Sequence, residues 1–160
     1  MTPPELADGD QNSPRFDEWL LALGRATYEA GHLSLMAFDL LRVHFDADED
    51  DMYDDALGRL VSKLRGSAKS RPDWPELASW IDTLDAAREQ RNDLTHALPV
   101  RDGLHRRKGS DPYFFRDFFT VESLEEIAAA FDAVSRKGNT LLYRDGGTHV
   151  RAWMLSGTTM

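Results

Sequence analysis

The chain contains no cysteine. Disulfides, thiolate nucleophiles and cysteine-based zinc sites are therefore excluded. It also lacks an apolar run of membrane-spanning length, and its opening MTPPELADGDQNS is polar and acidic, unlike a signal peptide. The expectation is a cytoplasmic protein with no membrane contact. No internal repeat, sustained heptad pattern or low-complexity block is present. Positive charge is in short supply: 19 Lys and Arg stand against 28 Asp and Glu, for a formal net charge of -9. Such a chain repels nucleic acid on average, which argues against a broad non-specific binder. The five histidines, at 32, 44, 96, 105 and 149, show no metal-ligand spacing. Neither metal nor cofactor is expected.

What is there suffices for one domain with a real core: 160 residues, 41% of them hydrophobic. Residues 1–12 read as a disordered lead, 13–143 as a helical domain and 144–160 as a C-terminal tail. Ser13-Pro14 reads as an N-cap and first helical residue. From there to about His44, apolar residues recur at helical spacing from Phe16 and Trp19 to Leu40 and Leu41. Gly24 and Gly31 are weak points, and Gly31 is a place where another helix can approach closely. A second helix is expected from Met52 to Arg65, stopped by Gly66. A third begins near Trp74-Pro75 and runs through Leu77, Trp80, Ile81, Leu84, Ala87, Arg91 and Leu94. Val100 to Ser110 reads as a polar, basic loop. Tyr113 to Phe119 is a dense aromatic segment, extended or a hairpin arm, suited to a core or to base stacking. Thr120 caps a last long helix through Leu142, with Gly138 as an interruption. The architecture expected is all-α, an up-and-down bundle of about four helices with a tail.

Asp46 to Asp50 invites a calcium reading. A calcium loop needs Gly at its sixth position and Glu at its twelfth, where this chain has Asp51 and Leu57. The run reads instead as a solvated acidic turn before the second helix.

Catalytic chemistry concentrates in Arg91-Asn92-Asp93-Leu94-Thr95-His96. Arginine offers a planar fork of donors suited to phosphate, and histidine exchanges protons near neutral pH. On a helix, Asn92 and His96 share a face. Arginine followed by histidine after four to six residues also occurs at Arg25–His32 and Arg144–His149, and about 1.4 such matches are expected by chance. Context separates them. Arg25–His32 encloses Gly31 in a long helix, and Arg144–His149 encloses a Gly146-Gly147 turn. Only Arg91–His96 has Asn after the Arg and closes an amphipathic run. Arg91 continues the apolar row of its helix, so it must be paired, line a groove or face a partner chain. The structural alternative pairs Arg91 with a carboxylate, bonds Asn92 to the backbone and leaves His96 as a helix-end residue. Just beyond, Arg101, His105, Arg106, Arg107 and Lys108 form a basic patch suited to guiding RNA.

Three helices, an Arg-Asn-x-x-x-His motif at the end of the third, a loop and a final helix resemble the HEPN superfamily. The resemblance covers roughly Arg15 to Tyr143, and its specificity lies in Arg91, Asn92 and His96. It implies an all-α homodimer with the site at its interface, acting as a metal-independent endoribonuclease through 2′-hydroxyl transesterification. Many such proteins belong to toxin–antitoxin or defence systems, so a cognate antitoxin protein is among the partners implied. Some members have lost catalysis, and the alternative is an inactive dimeric module that binds a protein or nucleotide.

Overall fold

The computed structural model describes residues 14–100, 103–107 and 115–156. Helix α1 spans Pro14–Phe45, α2 Leu57–Ala68 and α3 Pro75–Thr95. Three short strands follow, β1 Leu98–Val100, β2 Gly103–Arg107 and β3 Phe115–Phe118, then α4 Val121–Leu142 and α5 Thr148–Ser156. The fold is an all-α bundle with a small antiparallel sheet, ordered β1-β2-β3, inserted between α3 and α4. The lead expected over residues 1–12 lies outside the described residues.

Small residues set the closest packing. Along α1 the buried positions run Ala22, Ala26, Ala30, Leu33, Ala37, Leu40 and Leu41, a stripe at helical spacing that puts little bulk between backbones. Helix α4 lies along it as the most extensive helix pairing of the fold. Its buried face carries Leu124, Ile127, Phe131, Val134, Leu141 and Leu142. Gly138 does not interrupt α4. It is a buried notch where a Cβ would come within 2.7 Å of the Trp80 ring and 3.2 Å of Met36 Cβ. Trp80 fills that notch and donates its indole N–H to the Val134 carbonyl at 2.9 Å. One side chain thus locks α3 against α4, with its polar atom satisfied.

Helix boundaries follow local chemistry. Pro75 takes the first position of α3, where no N–H is missed. Thr120 caps α4, its hydroxyl accepting the Ser123 N–H at 3.1 Å. Helix α2 starts later than the apolar pattern suggests. Met52 is buried, but within a turn, and Asp55 accepts Lys63 at 2.7 Å and Arg59 at 3.4 Å from outside the helix. The helix also runs through Gly66 to a right-handed C-cap at Lys69, so no left-handed glycine is needed to end it.

Two further elements replace expected irregular segments. The strand β2 occupies the centre of the basic segment read as a loop, pairing Leu98 with His105 and Val100 with Gly103 on one side and His105 with Phe118 on the other. The tail forms α5, which packs on α1 through buried Val150 and through Trp153, whose ring lies 3.9 Å from the Arg42 guanidinium carbon. Gly146 and Gly147 take positive φ, 68° and 79°, and make the turn that returns α5 to the bundle.

Candidate functional site

The Arg91 motif sits where the third helix ends. The His96 N–H makes the last helical bond, to the Asn92 carbonyl at 2.9 Å, and His96 is the C-cap with φ −96° and ψ 6°. The Thr95 hydroxyl donates to the Arg91 carbonyl at 2.8 Å, closing the same turn from the side chain. Arg91 and Asn92 are half-buried and His96 is exposed. Helical register therefore carries as far as His96, and Asn92 and His96 remain one turn apart.

The charged neighbours on the helix are engaged elsewhere. Arg65 of α2 reaches Asp82 at 3.0 Å and Asp85 at 3.2 Å. Arg88 donates to Asp85 at 2.7 Å and to Glu89. The Asp85 carboxyl lies below the ordinary carboxylate range, chiefly because Arg88 hydrogen-bonds it, with Arg65 adding to the effect against partial desolvation. Arg91 differs. Among the described residues, no carboxylate pairs with it, and no hydrogen bond engages the side chains of Arg91, Asn92 or His96. Arg91 lies beyond Leu84 and Ala87 and before Leu94, all buried, but is itself only partly covered. Its place at the end of the apolar row, with an outlet to solvent, means that burial alone does not demand a partner chain.

The sheet brings the basic segment back to this helix end. Strand β1 begins two residues after His96, and its pairing with β2 sets His105 opposite Leu98. Arg106 and Arg107 follow on β2, which also contacts α3. Arg101 and Lys108 lie outside the described residues, as do Tyr113 and Phe114. The aromatic segment ends in the core: Phe119 is fully buried, and its carbonyl accepts the Trp19 indole N–H at 2.8 Å.

The other Arg–His matches have different surroundings. His32 pairs with Glu29 at 3.2 Å, and Arg25 lines a cleft of about 470 Å³ with Glu29, Glu125, Asp132 and Arg136. His149 is held by Asp145 and its ring lies tilted beside that of His44, a grouping that spacing alone does not reveal because His44 is about a hundred residues away. Among the described residues, no three His, Cys, Asp or Glu converge in a geometry suited to a metal ion. No helix among them is long and apolar enough to cross a membrane. No family model, curated protein or solved structure matches this chain.

Proposed function

We propose that the protein is a HEPN-type, metal-independent endoribonuclease acting as a homodimer. The observation that carries this reading is a half-buried Arg91, with no partner among the described residues, five positions before an exposed His96 that lies one helical turn from Asn92, at a helix end where the sheet returns the basic β2 segment. RNA brings its own nucleophile. A base takes the 2′-hydroxyl proton, the oxygen attacks the adjacent phosphorus, and the 5′-oxygen leaves with a proton, giving a 2′,3′-cyclic phosphate and a 5′-hydroxyl. His96 is the proton carrier, Arg91 holds the phosphoryl oxygens through charge-assisted bonds, and Asn92 orients the imidazole or binds a phosphate oxygen. Arg101, His105, Arg106, Arg107 and Lys108 would draw RNA to the site in an otherwise acidic protein. One motif supplies one imidazole, and two-fold symmetry would supply the second.

The test is cleavage of a broad RNA panel in EDTA. His96→Ala should slow it about a hundredfold to ten-thousandfold, and Arg91→Ala comparably. Helical circular dichroism should be unchanged in both. Equal cleavage by His96→Ala would place the activity elsewhere. Light scattering at micromolar concentration, an ordinary dimer affinity range, should give twice the chain mass; a monomer would remove the composite site.

A second reading rests on a different surface. On α1, Leu21, Tyr28 and Leu35 lie 59%, 65% and 50% exposed at seven-residue spacing, with Gly24 and Gly31 between them and, among the described residues, nothing within 4 Å of a Cβ added at either glycine. A stripe of that kind suits a partner helix, as an inactive binding module or an antitoxin-bound toxin requires. Intact protein that binds RNA or a partner without cleaving any RNA would favour it.

A further inference from the structure

A second group of chemically competent side chains lies at the opposite end of α3. Trp74 caps the N-terminal end of that helix and His96 its C-terminal end, so a 21-residue helix separates the two regions by roughly 30 Å. Around Trp74 gather His44 from α1, Arg71 and Asp73 from the α2–α3 connection, Arg144 and Asp145 after α4, and His149 from α5. The His44 and His149 ring centroids are 4.9 Å apart, and His44 meets the Trp74 ring edge-on at 5.0 Å. The guanidinium carbons of Arg144 and Arg71 stand 4.3 and 5.5 Å from the Trp74 centroid.

The hydrogen bonds fix both tautomers. His44 Nε2 lies 2.9 Å from the Leu142 carbonyl, which only accepts, so Nε2 carries the proton and Nδ1 keeps its lone pair. His149 Nδ1 donates to the Asp145 carboxylate, which leaves the His149 Nε2 lone pair uncommitted. Asp145 is anchored in turn: its oxygens accept the backbone N–H groups of Gly147, Thr148 and His149 at 3.0–3.1 Å. Arg71 is committed to Asp73 at 3.1 Å. Arg144 is exposed and has no carboxylate partner among the described residues. The His149 side chain is 52% exposed, so the group opens to solvent.

We propose that His44, His149 and Arg144 form a binding site for a phosphate monoester. Two imidazoles that can each accept a proton, beside a permanent guanidinium, offer up to three positive charges, one of them offset by the Asp145 carboxylate bonded to His149. That matches a dianion with three terminal oxygens better than a singly charged carboxylate. The second ionisation of a phosphate monoester falls near pH 6, in the range where imidazole titrates, so ligand binding and proton uptake are coupled. Burial holds the His44 imidazole below the ordinary histidine range despite its bond to Leu142, and the nearby His149 adds to that. The site is therefore poised to gain a proton when an anion arrives. Nothing in this arrangement requires a metal.

The experiment follows the five imidazole Cε1 proton resonances of the full-length protein at about pH 6, where imidazole titrates, with inorganic phosphate as the probe and acetate at equal ionic strength as the comparison. Phosphate is expected to move the His44 and His149 resonances and raise the His44 titration midpoint, leaving the His32 resonance in place; acetate should do neither. Arg144→Gln and His149→Gln should each weaken the response about tenfold or more, as loss of a charge-assisted bond does, while Arg91→Gln should leave it intact. Both positions are exposed, and an unchanged melting temperature checks the fold. A phosphate response confined to His96, equal shifts with acetate, or a His44 response that survives both variants would each overturn the assignment.

Discussion

A methyl group at position 138 would collide with a ring that has nowhere to go. The Cβ of Gly138→Ala would lie 2.7 Å from Trp80 Cζ2 and 3.2 Å from both Trp80 Cε2 and Met36 Cβ. Trp80 is 2% exposed and tied to the Val134 carbonyl, and Met36 Cβ is fixed to its own backbone, so neither yields as a flexible chain end would. Two effects oppose each other. Replacing a mid-helix glycine by alanine stabilises a helix by about 1 kcal/mol. Overpacking a filled core costs about 1–3 kcal/mol, and a contact below 3 Å against an anchored ring belongs at the upper end. The net expectation is a loss of about 1–2 kcal/mol, or a melting temperature lower by roughly 2–8 °C for a domain of this size. Urea unfolding followed by circular dichroism measures it, with Gly24→Ala as the control. Gly24 also lies in a helix, but nothing stands within 4 Å of its added Cβ, so that variant should gain about 0.5–1 kcal/mol. Trp80→Phe removes the obstructing ring atoms and should relieve most of the Gly138→Ala penalty in a double-mutant cycle. Equal stabilisation by Gly138→Ala and Gly24→Ala would refute the notch.

Thr120→Ala removes the hydroxyl that accepts the Ser123 N–H and should cost about 1 kcal/mol by the same unfolding assay. Acid should act in two stages. His44 titrates below its ordinary value of 6.5, mainly through burial, so the folded state resists protonation that the unfolded chain accepts. Stability is then full above about pH 6.5 and declines as pH falls below it, a slope that His44→Gln should flatten. For Asp145, burial pushes the carboxyl up, but hydrogen bonds from the His149 ring and backbone overcome this and hold it at about 2 against an ordinary 3.8. Its contribution is complete above about pH 4 and disappears as pH falls towards 2, which Asp145→Asn should abolish in an acid-denaturation series.

The long helices were legible because they carry both period and punctuation. Pro14, Pro75 and Thr120 each stand within one residue of an observed helix start, and α3 and α4 end where the apolar rows stop. Leu20 shows the limit of periodicity. It fits the pattern of α1 but is 45% exposed, because the face against α4 runs through Ala22 instead. Met52 was misread for a related reason: it is buried as a core residue without being helical, and burial rather than helicity is what an apolar residue reports. Helix α5 carries apolar residues, Val150 and Trp153 to Leu155, but at 9 residues it is too short for periodicity to announce it. It depends on Asp145 accepting N–H groups across the Gly146-Gly147 turn and on Arg42 beneath Trp153, a contact between distant segments. At the candidate site, residue types and helical register were readable, whereas the return of β2 to the helix end depends on sheet pairing between segments with little alternation. The grouping of His44 with His149 depends on tertiary structure entirely.

The pairing of α1 with α4 also governs the order in which this chain can fold. The first long helix exposes its alanine stripe from the moment it forms, yet its principal partner is not complete until Leu142. The α2–α3 pair, joined by a short connection, can associate early through local contacts, while the closure between Trp19 and the Phe119 carbonyl spans 100 residues. The entropy of that closure must be met before the central contacts form. The rate-limiting step is therefore expected to be the docking of the last long helix onto the first, which makes folding slower than an all-helical composition suggests.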